Sequence, residues 1–280
     1  MRCHRALKTK IAALMFAITT LATPPAHAEL SDVSEFKLSF PGATGGILRF
    51  PNTNQDKDEG NAFAEAWLKQ GIQFWQRGDT KIQAFYLGNY VRDTEPYPWN
   101  NSTKHGVGLQ LSTRLGDHLE LTFSVRHDWY KELESGFSRK GWRFAIDYYY
   151  YRYFPKDGGG RGPFSHKANV FKSYGTLASP GSLEKGDDNI VLTIGGEYSA
   201  DYKIGESDWL IVPFVDFHMS WDKDQNNYNN KAIPAVGLKF RKPIKNGELF
   251  GGVKLESDFR WVADTVDTGP IVFAGWYRGW

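Results

Sequence analysis

Polar and apolar residues alternate along many stretches of this chain, and a period of two is typical of an extended backbone. The pattern is clearest over residues 119–129, where Leu121 and Phe123 share one face while Ser124 and Arg126 share the other. It recurs, with varying regularity, over residues 107–115, 142–151, 190–203, 209–221, 232–241 and 249–261. Because successive side chains of a β-strand point to opposite faces of the sheet, the chain is predicted to be all-β.

The connections between these stretches alternate in length. Glycine-containing segments that suit tight hairpin turns lie at 77–79, 116–117, 157–160, 205–206 and 246–247. Longer polar stretches lie at 93–105, 131–138, 175–188, 222–231 and 264–268. Short periplasmic turns that alternate with longer extracellular loops are typical of a transmembrane antiparallel up-and-down β-barrel.

We predict a barrel of twelve strands over residues 29–280, with the first strand between Phe36 and Phe50 and the last over 269–280. One further strand is expected near 164–174. Ten strands is the alternative, in which residues 29–61 form a periplasmic extension or a plug. Residues 62–76 fit either a strand or an amphipathic helix.

Composition favours a membrane barrel over transmembrane helices. After residue 28 no apolar run approaches the about 20 residues that a spanning helix needs, and mean hydropathy is −0.49. Aromatic residues make up 15% of the chain, and Trp280 resembles the aromatic C-terminal insertion signal of outer-membrane proteins. Six tryptophans stand near predicted strand ends, as in interfacial girdles: Trp75, Trp129, Trp142, Trp209, Trp221 and Trp261. A soluble β-sandwich or lipocalin-like barrel with an aromatic core is the alternative.

Residues 1–28 are predicted to be a cleavable signal peptide. Four basic residues within positions 2–10 precede an apolar stretch at 11–22, which is too short to span a bilayer as a helix. Ala26-His27-Ala28 then supplies the small-x-small pattern that signal peptidase cleaves.

The mature protein is therefore expected to begin at Glu29. Intact mass spectrometry of the protein extracted from the outer membrane measures this directly. A full-length species that retains residues 1–28 in that membrane would contradict the prediction.

Removal of the signal peptide also changes the charge and cysteine content. The precursor has 34 basic and 32 acidic residues, and loss of the four basic residues leaves 30 basic residues against 32 acidic ones. Such a balance gives no reason to expect a nucleic-acid partner. Cys3, the single cysteine, leaves with the peptide, so no disulfide, thiolate metal site or cysteine nucleophile is expected. The expected partners are outer-membrane lipid and lipopolysaccharide.

One pair of residues could carry catalysis. His218 and Ser220 are two apart on a predicted strand, which puts a histidine base and a serine nucleophile on the same face. The spacing resembles the His-x-Ser pair of outer-membrane phospholipases and lipid A deacylases, but Trp221 and Asp222 replace the Asn-Gly that follows the serine in the phospholipases. We interpret the pair as part of a polar strand end and keep a lipid-modifying enzyme as an alternative.

The predicted lumen face carries many charged side chains of both signs, and a strongly selective pore would show one sign. Mixed signs favour ion pairs that fill the interior, with a polar path for a solute as the second interpretation. Tyr149 and Tyr151 share the inward face with Arg143 and Asp147, and aromatic rings can stack on sugar rings. Our candidates for lumen or glycan contact are Arg126, Asp128, Arg143, Asp147, Tyr149, Tyr151, Glu256, Asp258 and Arg260.

No cofactor or metal site is expected from the sequence. Residues 222–230 are rich in Asp and Asn but lack the bidentate glutamate of a calcium-binding loop. We interpret this segment as a solvated loop.

The alternation and loop pattern over residues 62–280 resemble those of bacterial outer-membrane β-barrels. Residues 211–242 and 248–262 also resemble the barrel module of bacteriophage-adsorption and exopolysaccharide-secretion outer-membrane proteins, although no helical repeats precede the barrel here. That resemblance implies a non-enzymatic role in export or assembly of a surface polysaccharide in a Gram-negative cell. A structural or adhesive barrel without transport is the remaining alternative.

Overall fold

The computed structural model describes residues 38–51, 60–95, 100–156, 163–180, 189–226 and 228–280. These residues form a closed antiparallel barrel in which each strand pairs with its neighbours in sequence and β1 pairs with β12. The strands are β1 Gly42–Phe50, β2 Phe63–Arg77, β3 Thr80–Asp93, β4 Ser102–Leu115, β5 Leu119–Glu132, β6 Ser138–Pro155, β7 Phe164–Ser179, β8 Val191–Ile204, β9 Leu210–Asp222, β10 Lys231–Ile244, β11 Gly247–Arg260 and β12 Thr265–Gly279. No helix among the described residues is long and apolar enough to cross a membrane.

The all-β fold class and the count of twelve strands are confirmed. The ambiguous segment 62–76 forms a strand, β2, and the strand expected near 164–174 is β7. The first strand is shorter than the predicted 36–50, because regular pairing with β2 and β12 begins at residues 42 and 43. The predicted signal peptide and the 157–160 turn lie outside the described residues.

The tight turns use left-handed backbone conformations, as their sequences predict. Gly116 has a φ of +64°, which costs a residue without a Cβ atom little. At the 246–247 turn the left-handed residue is Asn246, with a φ of +59°, rather than the adjacent glycine. Asparagine tolerates this region because its short polar side chain can bond the local backbone.

Alternation along each strand separates an apolar exterior from a mixed interior. On β5, Phe123 points outward and is 44% exposed, whereas Asp128 points inward and is 1% exposed. The outward faces of β10, β11 and β12 carry large apolar side chains in the same way, including Val236, Leu255 and Val272. An exposed apolar exterior on a closed sheet suits contact with lipid rather than water.

This face assignment predicts opposite outcomes for two neighbouring substitutions. Phe123→Arg places a charge against lipid and is expected to lower the free energy of unfolding by about 2–4 kcal/mol. Ser124→Arg places the same charge toward the lumen, where water and carboxylates can solvate it, and should cost less. Urea unfolding of the barrel from lipid vesicles measures both values. A greater loss from Ser124→Arg would mean that the register of β5 is shifted by one residue.

The two seams between the barrel halves β1–β6 and β7–β12 have the same construction. Trp276 of β12 lies opposite Gly46 of β1, and Tyr148 of β6 lies opposite Gly175 of β7. A Cβ atom on either glycine would come within 2.2 Å or 2.5 Å of the facing aromatic ring. Glycine is therefore needed at both positions, six strands apart in the barrel.

Each half also fastens the end of one of its longer loops with a buried aspartate. Asp93 ends β3 and Asp222 ends β9, and in both cases the aspartate N–H donates to an asparagine Oδ1 eight residues later. The carboxylates accept side-chain amides from Asn61 and Asn100 in the first case, and from Asn189, Asn226, Asn229 and Asn230 in the second. We call these clusters the Asp93 latch and the Asp222 latch. Asp222 and Asn230, at the two ends of the segment interpreted as a solvated loop, are buried, whereas residues 223–225 and 228 are exposed.

An ion pair on the inward face of one strand also occurs in both halves. On β5 the Arg126–Asp128 ion pair faces Gly108 and Gly106 of β4, and on β11 the Lys254–Glu256 ion pair faces Gly237 and Ala235 of β10. A glycine–aromatic seam, an aspartate latch and an ion pair that faces a glycine therefore occur at equivalent positions of both halves, so we describe the two halves as an internal repeat. Where the two halves carry different residues at equivalent positions, one half builds its wall without the side chain that the other half has.

Candidate functional site

All nine candidate side chains on β5, β6 and β11 lie on the inward face, since each follows the inward alternation of its strand. Asp128, Glu256 and Asp258 are almost fully buried. Arg126 donates to both carboxylate oxygens of Asp128 at 2.7 Å and 2.9 Å. The charged candidates thus serve the wall, and their contact with a glycan stays a prediction.

Ion pairs fill much of the lumen. The inward face carries charged residues of both signs, and such a mixture favours ion pairing. Several run along a strand rather than across strands, because residues two apart share a face: Arg126–Asp128, Lys254–Glu256 and Arg260–Asp258. Others bridge more distant strands. The Nζ of Lys239 lies 2.5 Å from the Oε2 of Glu197, and Arg241 contacts Asp201. Nearly every one of these charged groups is less than one fifth exposed.

A cavity of about 470 Å³ remains inside this charged wall. Strands β1 and β7–β12 supply its lining, which contains both polar and apolar side chains. The apolar part contains phenylalanine rings, and Phe214 meets Phe273 edge-on with centroids 6.0 Å apart. The polar part contains Arg49, Lys172, Glu197, Asp216, His218, Lys231, Lys239, Glu248, Lys254 and Glu256. Such a mixture can hold a ligand that has both apolar faces and charged groups.

Aromatic side chains also meet near the periplasmic end of the lumen. Trp67 of β2 and Tyr277 of β12 have ring centroids 6.1 Å apart. Tyr149 of β6 is close enough to Tyr277 and Glu248 to interact electrostatically with both. Since β6 and β12 are six strands apart in a ring of twelve, Tyr149 and Tyr277 approach each other from opposite walls. The tyrosines at this strand end are thus partly lumen residues, not only girdle residues.

The possible catalytic pair shares the inward face of β9, as its spacing predicts. His218 and Ser220 both point inward on β9, and His218 lines the cavity. No hydrogen bond joins them among the described residues, and Ser220 is 5% exposed.

Several cavity residues were missed from the sequence. Arg49, Lys172 and Tyr174 belong to β1 and β7, two of the strands whose faces the sequence pattern left unassigned. Clean alternation in these strands would have revealed them, but Gly45, Gly46 and a bulge near His166 interrupt it.

Solved structures that this chain is similar to are bacterial outer-membrane barrels. An outer-membrane channel from Pseudomonas putida is 8% identical with a TM-score of 0.45, and the match covers 91% of this chain and 100% of that one. The β-domain of the Bordetella autotransporter BrkA is 12% identical with a TM-score of 0.41, over 85% and 98% of the two chains. LpxR from Salmonella typhimurium is 8% identical with a TM-score of 0.43, over 84% and 99%. No family model and no curated protein matches the chain.

The barrel's own features determine its class. The sheet is closed, its exterior is apolar, its interior is charged, and short turns alternate with longer loops. A closed barrel leaves no unpaired strand edge in lipid, which is the condition for crossing a bilayer with strands. The chain is an outer-membrane β-barrel of the Gram-negative type.

Proposed function

We propose that this barrel acts without catalysis in export or assembly of a surface polysaccharide. The lumen cavity carries the proposal, because it combines aromatic rings with charged and hydrogen-bonding groups. Sugar rings present apolar C–H faces and polar edges, so they suit such a lining. The resemblance of residues 211–242 and 248–262 to exopolysaccharide-secretion barrels supports the same role.

A clean deletion of the gene is expected to reduce surface or secreted polysaccharide without changing lipid A acylation or phospholipid turnover. The deleted strain is then complemented with variants of β6 and β7. Tyr174→Ala removes a ring that lines the cavity, and Tyr149→Ala and Tyr151→Ala remove other inward rings, so all three should restore less polysaccharide than wild type. Tyr150→Ala and Phe171→Ala remove outward rings that contact each other, and both should restore it fully. Equal restoration by all five variants would mean that the inward rings do not contribute to the phenotype.

The enzyme alternative rests on His218 and Ser220 alone. If the deletion leaves polysaccharide unchanged while free fatty acid or lysophospholipid falls, and His218→Ala abolishes lipid hydrolysis, that alternative replaces the proposal. If neither quantity changes, a structural or adhesive role becomes the leading one. Conductance in planar bilayers then separates an open pore from a filled barrel.

A further inference from the structure

Every acidic group that lines the lumen cavity has a basic side chain of the wall beside it. Glu197 pairs with Lys239 at 2.5 Å, Glu256 pairs with Lys254 at 2.6 Å, and Asp216 lies 3.5 Å from the same lysine. The fourth acid, Glu248, lies 3.7 Å from a guanidinium nitrogen of Arg241, which also contacts Asp201. In the lining as a whole, the cations outnumber the carboxylates by five to four: Arg49, Lys172, Lys231, Lys239 and Lys254 against Glu197, Asp216, Glu248 and Glu256.

Two cations on the same cavity are not within ion-pair distance of a carboxylate. Lys172 and Arg49 form no ion pair with any residue in the part of the chain that the structure describes, although Glu197 is the cross-strand neighbour of Lys172. The guanidinium carbon of Arg49 lies 5.6 Å from the ring centroid of Phe63. A buried or half-buried cation is costly without a counter-charge, so the cavity favours an anionic group.

The two cations approach from opposite walls. Arg49 is on β1 and Lys172 is on β7, and these strands are six apart in the closed ring of twelve. Arg49 lies beside Phe273 of β12 in the sheet, and Phe273 also lines the cavity. Lys172 lies beside Glu197 of β8. Both side chains border the same cavity.

An aromatic face stands next to these cations. Tyr174 follows Lys172 on the same inward face and is 47% exposed. Its ring covers Gly195 of β8, where a Cβ atom would lie 2.5 Å from the ring. Tyr174 is also close enough to Arg49 for an electrostatic interaction. A stacking surface and two cations thus face the same space.

The internal repeat argues that these side chains are not needed to build the wall. Counting back from the seam glycines Gly175 and Gly46, the first half has Ala43 at the position of Lys172 and Gly45 at the position of Tyr174. The first half closes with these small neutral residues. The cation and the aromatic ring are therefore additions specific to the second half, on the side where the cavity lies.

We propose that the lumen cavity binds an acidic sugar, with its carboxylate between Arg49 and Lys172 and its ring on Tyr174. This inference rests on the proposed polysaccharide role and narrows it to a chain that carries uronic-acid units. Phe214 and Phe273 then border the apolar faces of the sugar units. The wall lysines Lys239 and Lys254 pair with Glu197, Glu256 and Asp216.

Calorimetric titration of the full barrel in micelles tests the inference with three probes: tetragalacturonate, maltotetraose and inorganic phosphate. Tetragalacturonate should bind at least about tenfold more tightly than maltotetraose, because only it carries carboxylates. Arg49→Gln and Lys172→Gln should each weaken tetragalacturonate binding about tenfold and leave maltotetraose binding unchanged. Lys131→Gln, which removes an outward lysine of β5, is the matched control and should bind as wild type. Unchanged heat-modified mobility in gels establishes that each variant folds.

Three results would overturn the inference. Equal affinity for maltotetraose and tetragalacturonate would mean that the cavity recognises sugar without charge, which leaves the polysaccharide role intact. Phosphate that binds as tightly as tetragalacturonate and depends equally on Lys172 would mean that the site recognises a small anion. Absence of binding by all three probes would remove the lumen site, whereas failure of the polysaccharide role itself would appear in the deletion strain.

Discussion

Replacing Lys239 with methionine is expected to lower the free energy of unfolding of the barrel by about 3–5 kcal/mol. The lysine Nζ lies 2.5 Å from Glu197, and the two side chains are 9% and 18% exposed. Methionine preserves most of the volume but leaves Glu197 without its counter-ion in a poorly solvated wall. The change also removes the ammonium that lies 4.8 Å from the ring centroid of Phe214. Urea titration of the folded barrel in lipid vesicles measures the loss.

A double variant separates the ion pair from the packing. Combining Lys239→Met with Glu197→Gln removes both charges, so neither side chain is left as a buried charge without a counter-ion. Much of the lost free energy of unfolding should therefore return. Lys131→Met, at an exposed outward position on β5, should change stability by less than about 0.5 kcal/mol. If the double variant is no more stable than Lys239→Met, the buried charge is not the cause.

Replacing Asp222 with alanine should cost about 4 kcal/mol, because it removes the acceptor at the centre of the Asp222 latch. The carboxylate accepts four asparagine side-chain amides at 2.9–3.0 Å and the backbone N–H of Asn226 at 3.0 Å. A buried donor without an acceptor costs about 1–3 kcal/mol, and the amides nearest the loop surface can turn to water. Urea titration gives the loss in stability, and limited proteolysis shows whether loop 223–230 is released.

The same loop provides the control. Asp224 is exposed and two residues away, so Asp224→Ala should leave both stability and proteolysis close to wild type. Asp93→Ala should destabilise the barrel as well, since the Asp93 latch has the same arrangement. Equal stability of the Asp222→Ala and Asp224→Ala variants would show that the latch does not hold the loop.

The internal repeat had a sequence signal that alternation alone did not reveal. Asn100-Asn101 and Val107-Gly108-Leu109 of the first half recur as Asn229-Asn230 and Val236-Gly237-Leu238 in the second. The asparagines belong to the latches, and the glycines face the ion-paired residues of the next strand. A self-comparison of the sequence would have found these segments. Their shared structural role became visible only when the two aspartates appeared in equivalent places.

Strand positions, turn positions and the inward face of β5, β8, β9 and β11 follow from local pattern. The alternation of polar and apolar residues along a strand depends only on which face of that strand contacts lipid. The polarity of each residue therefore indicates the face on which it lies. Glycine and asparagine report the turns in the same local way, because few other residues adopt a positive φ. These features were therefore readable from single stretches of sequence.

The contacts between residues of distant strands were decided by closure of the barrel. Which residues meet across the lumen depends on the number of strands and on their stagger, and neither is a property of one strand. Arg49 and Lys172 face one cavity only because β1 and β7 stand on opposite walls of a twelve-strand ring. The burial of Asp222 likewise depends on Asn189, a residue distant in sequence that the β8–β9 pairing brings alongside. Local patterns specify faces, whereas contacts between distant strands arise only in the closed sheet.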